Sequence, residues 1–410
     1  LKTLVKIQKT KCKLNEKVLN EFLFYKYITG KDTLVKNIFK FEPGIVYKVD
    51  LNKKTIKLEK TNYYNFIEKK NNDTVQDSIE NVESLFKKSI NLQLQSDANL
   101  GIQLSGGIDS TLITEFASEQ RKVNHLFFSS FKDFKKDEFK YAKTVSNKLN
   151  LKFKKIENSK NFFNNNFTKS IYFLDEPLNH PHSVAIFQIS KIAKKNVSVL
   201  LTGEGADELF FGYERYKKIF KKNSKNIDLI KNGAFLRSKF DNNLSLIEQV
   251  YLADFNGKLI FNMIPLYEKL HTHFKLKYIA PLLSDNVISF SSKLPSSLKY
   301  NQNEKIGKIL LRKLLEKHKI NDLILKQKQG FSVNTTNLWK NYGQKICKYF
   351  LDKSRIVNDG WINPDWVSKY IDKHDLEIRY INKFYGLLAF EIWYRLFVTK
   401  EMRNDEKLII

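Results

Sequence analysis

The chain has 410 residues, enough for two domains that each bury a core. Apolar residues make up 42% and aromatics 13%, which excludes a disordered chain. It carries 71 Lys and Arg against 44 Asp and Glu, a net charge of +27. Its two cysteines, Cys12 and Cys347, exclude a disulfide framework and a Cys-rich zinc site. The lysines are spread along the whole length beside abundant Asn and Ile. The charge therefore reads as a compositional bias rather than a nucleic-acid or membrane patch. Lys217–Asn226 interleaves lysines with neutral residues, as a solvated face does. No signal-peptide core opens the chain. Phe384–Phe397 is too short to span a bilayer and is interrupted by Glu391 and Arg395. A cytoplasmic protein without nucleic-acid or membrane partners is expected.

In chain order, Glu21–Tyr27 reads as a short helix. Gly44–Asp50 and Thr55–Glu59 alternate apolar and polar residues around a Leu51–Lys54 turn, which predicts a hairpin. Lys69–Asp73 reads as a linker. From Thr74 onward strands and helices alternate. Helices are predicted over Val75–Leu94, Ser110–Gln120, Asp137–Leu149 and Ser183–Lys194. Strands are predicted over Asn99–Leu104, His125–Phe131, Leu151–Ile156 and Val197–Leu201. This alternation argues an α/β fold with a parallel sheet covered by helices on both faces. Beyond Ile227 the chain reads as mostly helical.

Two motifs carry chemistry. The first is Leu104-Ser105-Gly106-Gly107-Ile108-Asp109-Ser110, between a strand end and a helix start. Its glycines let backbone approach an anion, and its amides and the Ser105 and Ser110 hydroxyls suit phosphate oxygens. A bare Asp109 would repel phosphate unless a cation such as Mg²⁺ bridged the two. No Gly-Lys-Ser/Thr follows, so this is not the P-loop of kinases. The second motif runs from Leu201 to Tyr213 and contains Thr202, Gly203, Glu204, Gly205, Asp207 and Glu208. Three acids among glycines after an apolar strand suggest metal coordination rather than a plain turn.

These motifs resemble the pyrophosphatase loop and second signature of the glutamine-hydrolysing asparagine synthetases. Asp137-Glu138 with Tyr141-Ala142, Asp175-Glu176-Pro177, Ile279–Leu283, Leu294-Pro295, Lys308–Arg312, Lys328–Phe331 and Phe384–Phe397 follow the family's order. The resemblance implies a PP-loop, adenine nucleotide alpha hydrolase-like fold over residues 74–400, with a mostly helical C-terminal part. It implies that 1–68 are the β-rich remnant of a glutaminase domain. It also implies ATP and Mg²⁺ as cofactors, aspartate and ammonia as substrates, and a homodimer or separate glutaminase as partner. Aspartate would be activated as an acyl-adenylate and then attacked by ammonia. On this resemblance Ser105, Gly106, Gly107 and Ser110 cradle pyrophosphate, and Asp109 and Asp207 hold Mg²⁺. Lys308 meets phosphate charge, and Glu204 takes a proton from ammonia. Leu104, Ser129, Thr202 and Gly203 fall where the family contacts the nucleotide. Ser129 stands in place of an aliphatic residue, and Phe211 in place of a glycine.

Read without the family, Lys308 is a surface lysine on a helix. Glu21–Phe66 resembles only the tail of the glutaminase domain. Cys12 matches no nucleophile position, so the chain is expected not to hydrolyse glutamine and to be a fragment or a user of supplied ammonia. Cys347 reads as a packed core residue. His180 with His182, and His271 with His273, lack a third ligand nearby in sequence and do not read as zinc sites. The same adenylation chemistry on another acid, such as a sugar acid, fits the motifs equally. A tRNA-modifying enzyme fits less well, because the second signature is present and catalytic cysteines are not suitably placed.

Overall fold

The computed structural model describes residues 1–7, 12–53, 55–60, 72–93, 98–120, 123–131, 138–178, 180–181, 183–220, 244–320, 335–373 and 375–408. Lys69–Asn71, Asp137, His182, Lys328–Phe331 and the end of the Lys217–Asn226 run lie outside them. The chain opens with α1 (Lys2–Ile7) and α2 (Glu16–Tyr25). The second begins a turn earlier than its sequence suggests. It closes where Lys26 turns left-handed at φ 65 and its N–H returns to the Phe22 carbonyl at 2.6 Å. The expected hairpin follows as β1 (Ile45–Asp50) and β2 (Thr55–Lys60), paired antiparallel from Ile45↔Lys60 to Asp50↔Thr55. Asp50 sets the turn: its carboxylate accepts the N–H groups of Asn52 and Lys53 at 3.0 and 3.1 Å.

The next unit is the α/β layer. α3 (Val75–Gln93) leads to β3 (Leu100–Gln103), α4 (Ile108–Glu119), β4 (Val123–Phe131), α5 (Glu138–Lys148) and β5 (Lys152–Asn158). Then come α6 (Lys160–Leu174), α7 (Ser183–Ala193) and β6 (Val199–Leu201). β7 (Lys277–Ile279) completes a five-stranded sheet in the order β5-β4-β3-β6-β7. Every pair is parallel. The chain winds outward from β3 to β5, then restarts at β6 on the other side. That reversal opens a crevice beyond the carboxyl ends of β3 and β6.

Strand periodicity explains the two covered faces. Leu126 and Phe128 point into one core with Val82 and Phe86 of α3 and Leu112 and Phe116 of α4. Phe127, between them, points into the opposite core with Ile156, Leu200 and Ile189 and Ala193 of α7. Each buried aromatic is worth about 2–3 kcal/mol of transfer free energy.

After the sheet, α8 (Ala206–Phe210) and α9 (Tyr216–Ile219) carry the second motif onward. α10 (Leu246–Ala253) starts at a reciprocal cap. Ser245 accepts the Glu248 N–H at 3.3 Å, and the Glu248 carboxylate accepts the Ser245 N–H at 2.8 Å. It runs through a π-helical stretch, Asp254–Met263, into α11 (Ile264–His273). α12 (Asp285–Lys293), α13 (Ser296–Lys299), the short strands β8 (Tyr300–Asn301) and β9 (Ile306–Gly307), and α14 (Ile309–Lys317) follow. The closing helix, Ile378–Phe397, includes the expected Phe384–Phe397 and is buried along most of its length. Val18, Phe22, Ile28 and Val35 share its core with Phe390 and Trp393, so these N-terminal side chains pack into the helical half. Among the described residues no helix is long and apolar enough to cross a membrane.

Candidate active site

The phosphate loop closes on itself. Leu104 is buried and extends the ladder, its N–H meeting the Phe127 carbonyl at 3.0 Å. The Ser105 N–H donates to the Ser110 hydroxyl at 3.1 Å, and that hydroxyl donates to the Gly107 carbonyl at 3.3 Å. The two serine hydroxyls lie 3.0 Å apart. Gly106 turns at φ +79, and a Cβ there would sit 2.9 Å from the Glu138 carbonyl. Only glycine meets both demands.

The second motif packs directly on the first. A Cβ on Gly203 would lie 2.8 Å from the Asp109 Cβ and 3.1 Å from the Ser110 nitrogen. The Thr202 N–H bonds the Ile279 carbonyl at 3.0 Å, which ties this turn to β7. The third segment is the start of α14. Lys308 sits left-handed at φ 60, with its N–H on the Phe210 carbonyl at 2.8 Å. Its ammonium lies 2.6 Å from both Asp109 carboxylate oxygens and 2.5 Å from Asp207 Oδ1. Lys308 is 3% exposed, so the sequence-only expectation of a surface lysine is corrected. Gly212 makes room for it, since a Cβ there would be 2.1 Å from the Lys308 Cε. Phe211 adopts φ 59 at the expected glycine position and buries its ring against Tyr216 and Tyr251.

These segments border a cleft of about 230 Å³ whose walls include Ser105, Gly107, Glu138, Tyr213, Lys305 and Arg312. Arg312 lies one turn beyond Lys308 and anchors its Nε on the Gly307 carbonyl at 3.1 Å. It was given no role from sequence, although its i,i+4 spacing from Lys308 was a usable signal. Behind Tyr213 lies a buried polar group. Tyr213 donates to Glu208, and Arg215 and Tyr216 donate to Asp254. The Lys258 ammonium stands 3.7 Å from the Tyr213 ring centre. Burial, and then the neighbouring Asp207 charge, push the Glu208 carboxyl up, against the opposing pull of Lys258.

Glu204 lies just past β6. Tyr267 is buried on α11 and stacks on Tyr278 of β7 with ring centroids 5.5 Å apart; burial, and then the Glu204 charge, push its phenol up. Sequence reading missed Tyr267 and Tyr278, because nothing local marks residues that meet only when α11 packs beside β7. The Ser129 hydroxyl accepts the Asn158 amide at 2.7 Å, within the β4–β5 edge. Cys12 is buried, and burial raises its thiol, leaving a poor nucleophile. Cys347 is fully buried, as expected of a core residue. His271 is buried with Nδ1 2.5 Å from the Ser190 hydroxyl, and His273 stacks on Phe187. Glu115, Glu119 and His318 approach one another within 4.8 Å. Lys87 already holds Glu119 at 3.0 Å and Glu83 faces His318 at 3.1 Å, so this group belongs to a web of ion pairs.

A phosphate loop, an acidic signature and a lysine converge here from three distant segments. The asparagine synthase family model matches residues 81–395. The chain belongs to the asparagine synthase family. It is 23% identical to glutamine-hydrolyzing asparagine synthetase 1 of Bacillus subtilis (strain 168), over 96% of this chain and 71% of that protein. It is 25% identical to a putative glutamine-hydrolyzing asparagine synthetase of Mycobacterium bovis, over 50% of this chain and 32% of that protein. Among solved structures, an NH3-dependent NAD synthetase from Campylobacter jejuni matches 77% of this chain and 97% of its own, at 14% identity and a TM-score of 0.28. Family membership supports ATP-dependent ligase chemistry.

Proposed function

We propose that this chain forms asparagine from aspartate and ammonia through a β-aspartyl-adenylate. The observation that carries the reading is the Lys308 ammonium held between Asp109 and Asp207 at the phosphate loop. A side-chain carboxylate oxygen of aspartate attacks the α-phosphorus of ATP. The bond from that phosphorus to the bridging oxygen breaks, and pyrophosphate leaves. The ammonia nitrogen then attacks the acyl carbon, the acyl–oxygen bond breaks, and AMP leaves with its electron pair. Glu204 accepts the proton that the nitrogen gives up.

The residues support the phosphate half directly. The loop amides and hydroxyls receive pyrophosphate oxygens. Lys308 and Arg312 supply charge where negative charge builds up on the phosphates. Asp109 and Asp207 offer hard carboxylate oxygens that converge on one point, a donor set that suits Mg²⁺. Two carboxylates facing one point fit a divalent cation arriving with the nucleotide. Mg²⁺ held there would neutralise phosphate charge.

The test is pyrophosphate release from Mg-ATP with ammonia supplied and aspartate present or absent. Aspartate-dependent release with asparagine formed in step is the expected result. Nucleotide binding without aspartate-dependent release would overturn the aspartate assignment and turn the assay to other acids, sugar acids first.

A further inference from the structure

We infer that Lys308 is the built-in counter-ion of the Asp109–Asp207 pair and competes with a divalent cation for it, so the pair takes a metal only together with an anion that draws the lysine away. The inference rests on the reading of this pair as the Mg²⁺ ligands given above, and it concerns the order in which metal and nucleotide bind. Three observations carry it. The first is which oxygens the ammonium uses. It donates to both carboxylate oxygens of Asp109 at 2.6 Å and pairs with Asp207 Oδ1 at 2.5 Å. These are the oxygens a hard divalent cation would take. Two positive ions on the same three oxygens repel each other, and burial removes the screening that would let them coexist. The Lys308, Asp109 and Asp207 side chains are only 4%, 13% and 16% exposed.

The second is how the lysine is delivered. Asp109 lies in the first turn of α4, Asp207 in α8, and Lys308 caps the start of α14. The Lys308 backbone is fixed, left-handed at φ 60 with its N–H on the Phe210 carbonyl. A Cβ on Gly212 would collide with the Lys308 stem and with Asp207 Oδ1, so one glycine shapes the slot for both partners. The third is where the ammonium can go. Lys308 also lines the cleft beside Ser105 and Gly107 of the phosphate loop. Its flexible four-carbon stem can turn the ammonium toward a phosphate while the backbone stays in place. An incoming phosphate thus takes over the lysine and releases both carboxylates to the metal that accompanies it. Metal and nucleotide then bind with positive coupling, and the coupling is reciprocal.

The test is Mn²⁺ binding to the full chain without nucleotide, read from the loss of the free-ion electron paramagnetic resonance signal. Lys308→Met keeps the length of the stem and removes its charge. It is expected to bind Mn²⁺ about tenfold more tightly than the wild type, and Lys308→Gln likewise. Adding Asp109→Asn to Lys308→Met should abolish the gain, which assigns it to this pair. The wild type carries the test by itself if both lysine variants fail to fold. Mg²⁺ alone should leave its melting midpoint unchanged at a concentration that adds a metal-dependent rise when ATP is present. A metal-dependent rise with ATP, but no gain of Mn²⁺ affinity in folded lysine variants, would overturn the inference alone. So would an equal rise of the wild-type midpoint with Mg²⁺ alone. No metal-dependent rise with ATP in the wild type would overturn the reading of Asp109 and Asp207 as metal ligands, and this inference with it.

Discussion

Lys308 is fixed by its surroundings as well as its charge. Gly212 lies so close to it that a Cβ there would be 2.1 Å from the Lys308 Cε, and Gly307 packs on the Phe211 carbonyl, which a Cβ would meet at 1.6 Å. A guanidinium is wider and planar and has no room in that slot. Lys308→Arg and Lys308→Met are therefore both expected to lose about 100-fold or more in pyrophosphate release. An arginine variant with near-normal release would show that charge alone suffices. Phe211 sets two effects against each other. Its left-handed backbone costs about 1 kcal/mol, which glycine would relieve. Its ring is buried among Tyr216, Phe220 and Tyr251, and losing it costs about 3–5 kcal/mol. Phe211→Gly should thus destabilise by about 2–4 kcal/mol, read from the urea midpoint. Asp109, Asp207 and Lys308 could be picked out of the sequence because each stands in a motif. Tyr267 and Tyr278 could not, because they meet only after α11 packs beside β7.

Three helices are pinned together on the α3 side of the sheet. Glu83 of α3 meets Lys87 at 2.9 Å, Lys317 at 2.7 Å and His318 at 3.1 Å, and Lys87 also reaches Glu119 of α4. α4 begins at the phosphate loop and α14 begins at Lys308, so the web sets the angle between two helices that both feed the site. Burial alone would raise the Glu83 carboxyl. Bonds from Lys317 and Lys87, and the charges of Lys87 and His318, outweigh it and bring it to about 2. A carboxyl lowered on folding stabilises the fold above its ordinary value, near 4.5, and that stability disappears as pH falls toward about 2. Glu83→Gln should cost on the order of 2 kcal/mol at neutral pH and flatten the stability profile below about pH 5. An equally steep acid limb in the variant would place the dependence elsewhere. At this scale most elements were readable from periodicity. α6 was overlooked, although Phe163, Phe167, Ile171 and Leu174 repeat at helical spacing behind the Ser159 cap. β7 offers only three residues, too few for any period to show.

At the scale of the whole molecule, the alternation of strands and helices pointed to a parallel sheet, but β7 completes it from the half that read as helical. Its partner β6 lies 78 positions earlier, so pairing rather than local sequence decides its place. The same separation governs the site. Asp109 and Lys308 are 199 positions apart and meet only when both halves are folded. A ligand that bridges the loop, the acidic signature and α14 therefore binds the folded chain and not the unfolded one. Mg-ATP at a hundred times its Kd should add about 2.7 kcal/mol of stability, visible as a rise in the melting midpoint. If Asp109 and Asp207 hold the cation, ATP with EDTA should give a smaller rise, because the two carboxylates then face the phosphates with no cation between them. Equal rises with Mg²⁺ and with EDTA would mean that Lys308 and Arg312 balance the phosphates unaided. Asp109→Asn would then leave the rise unchanged, whereas metal binding predicts that it removes most of the Mg²⁺-dependent part.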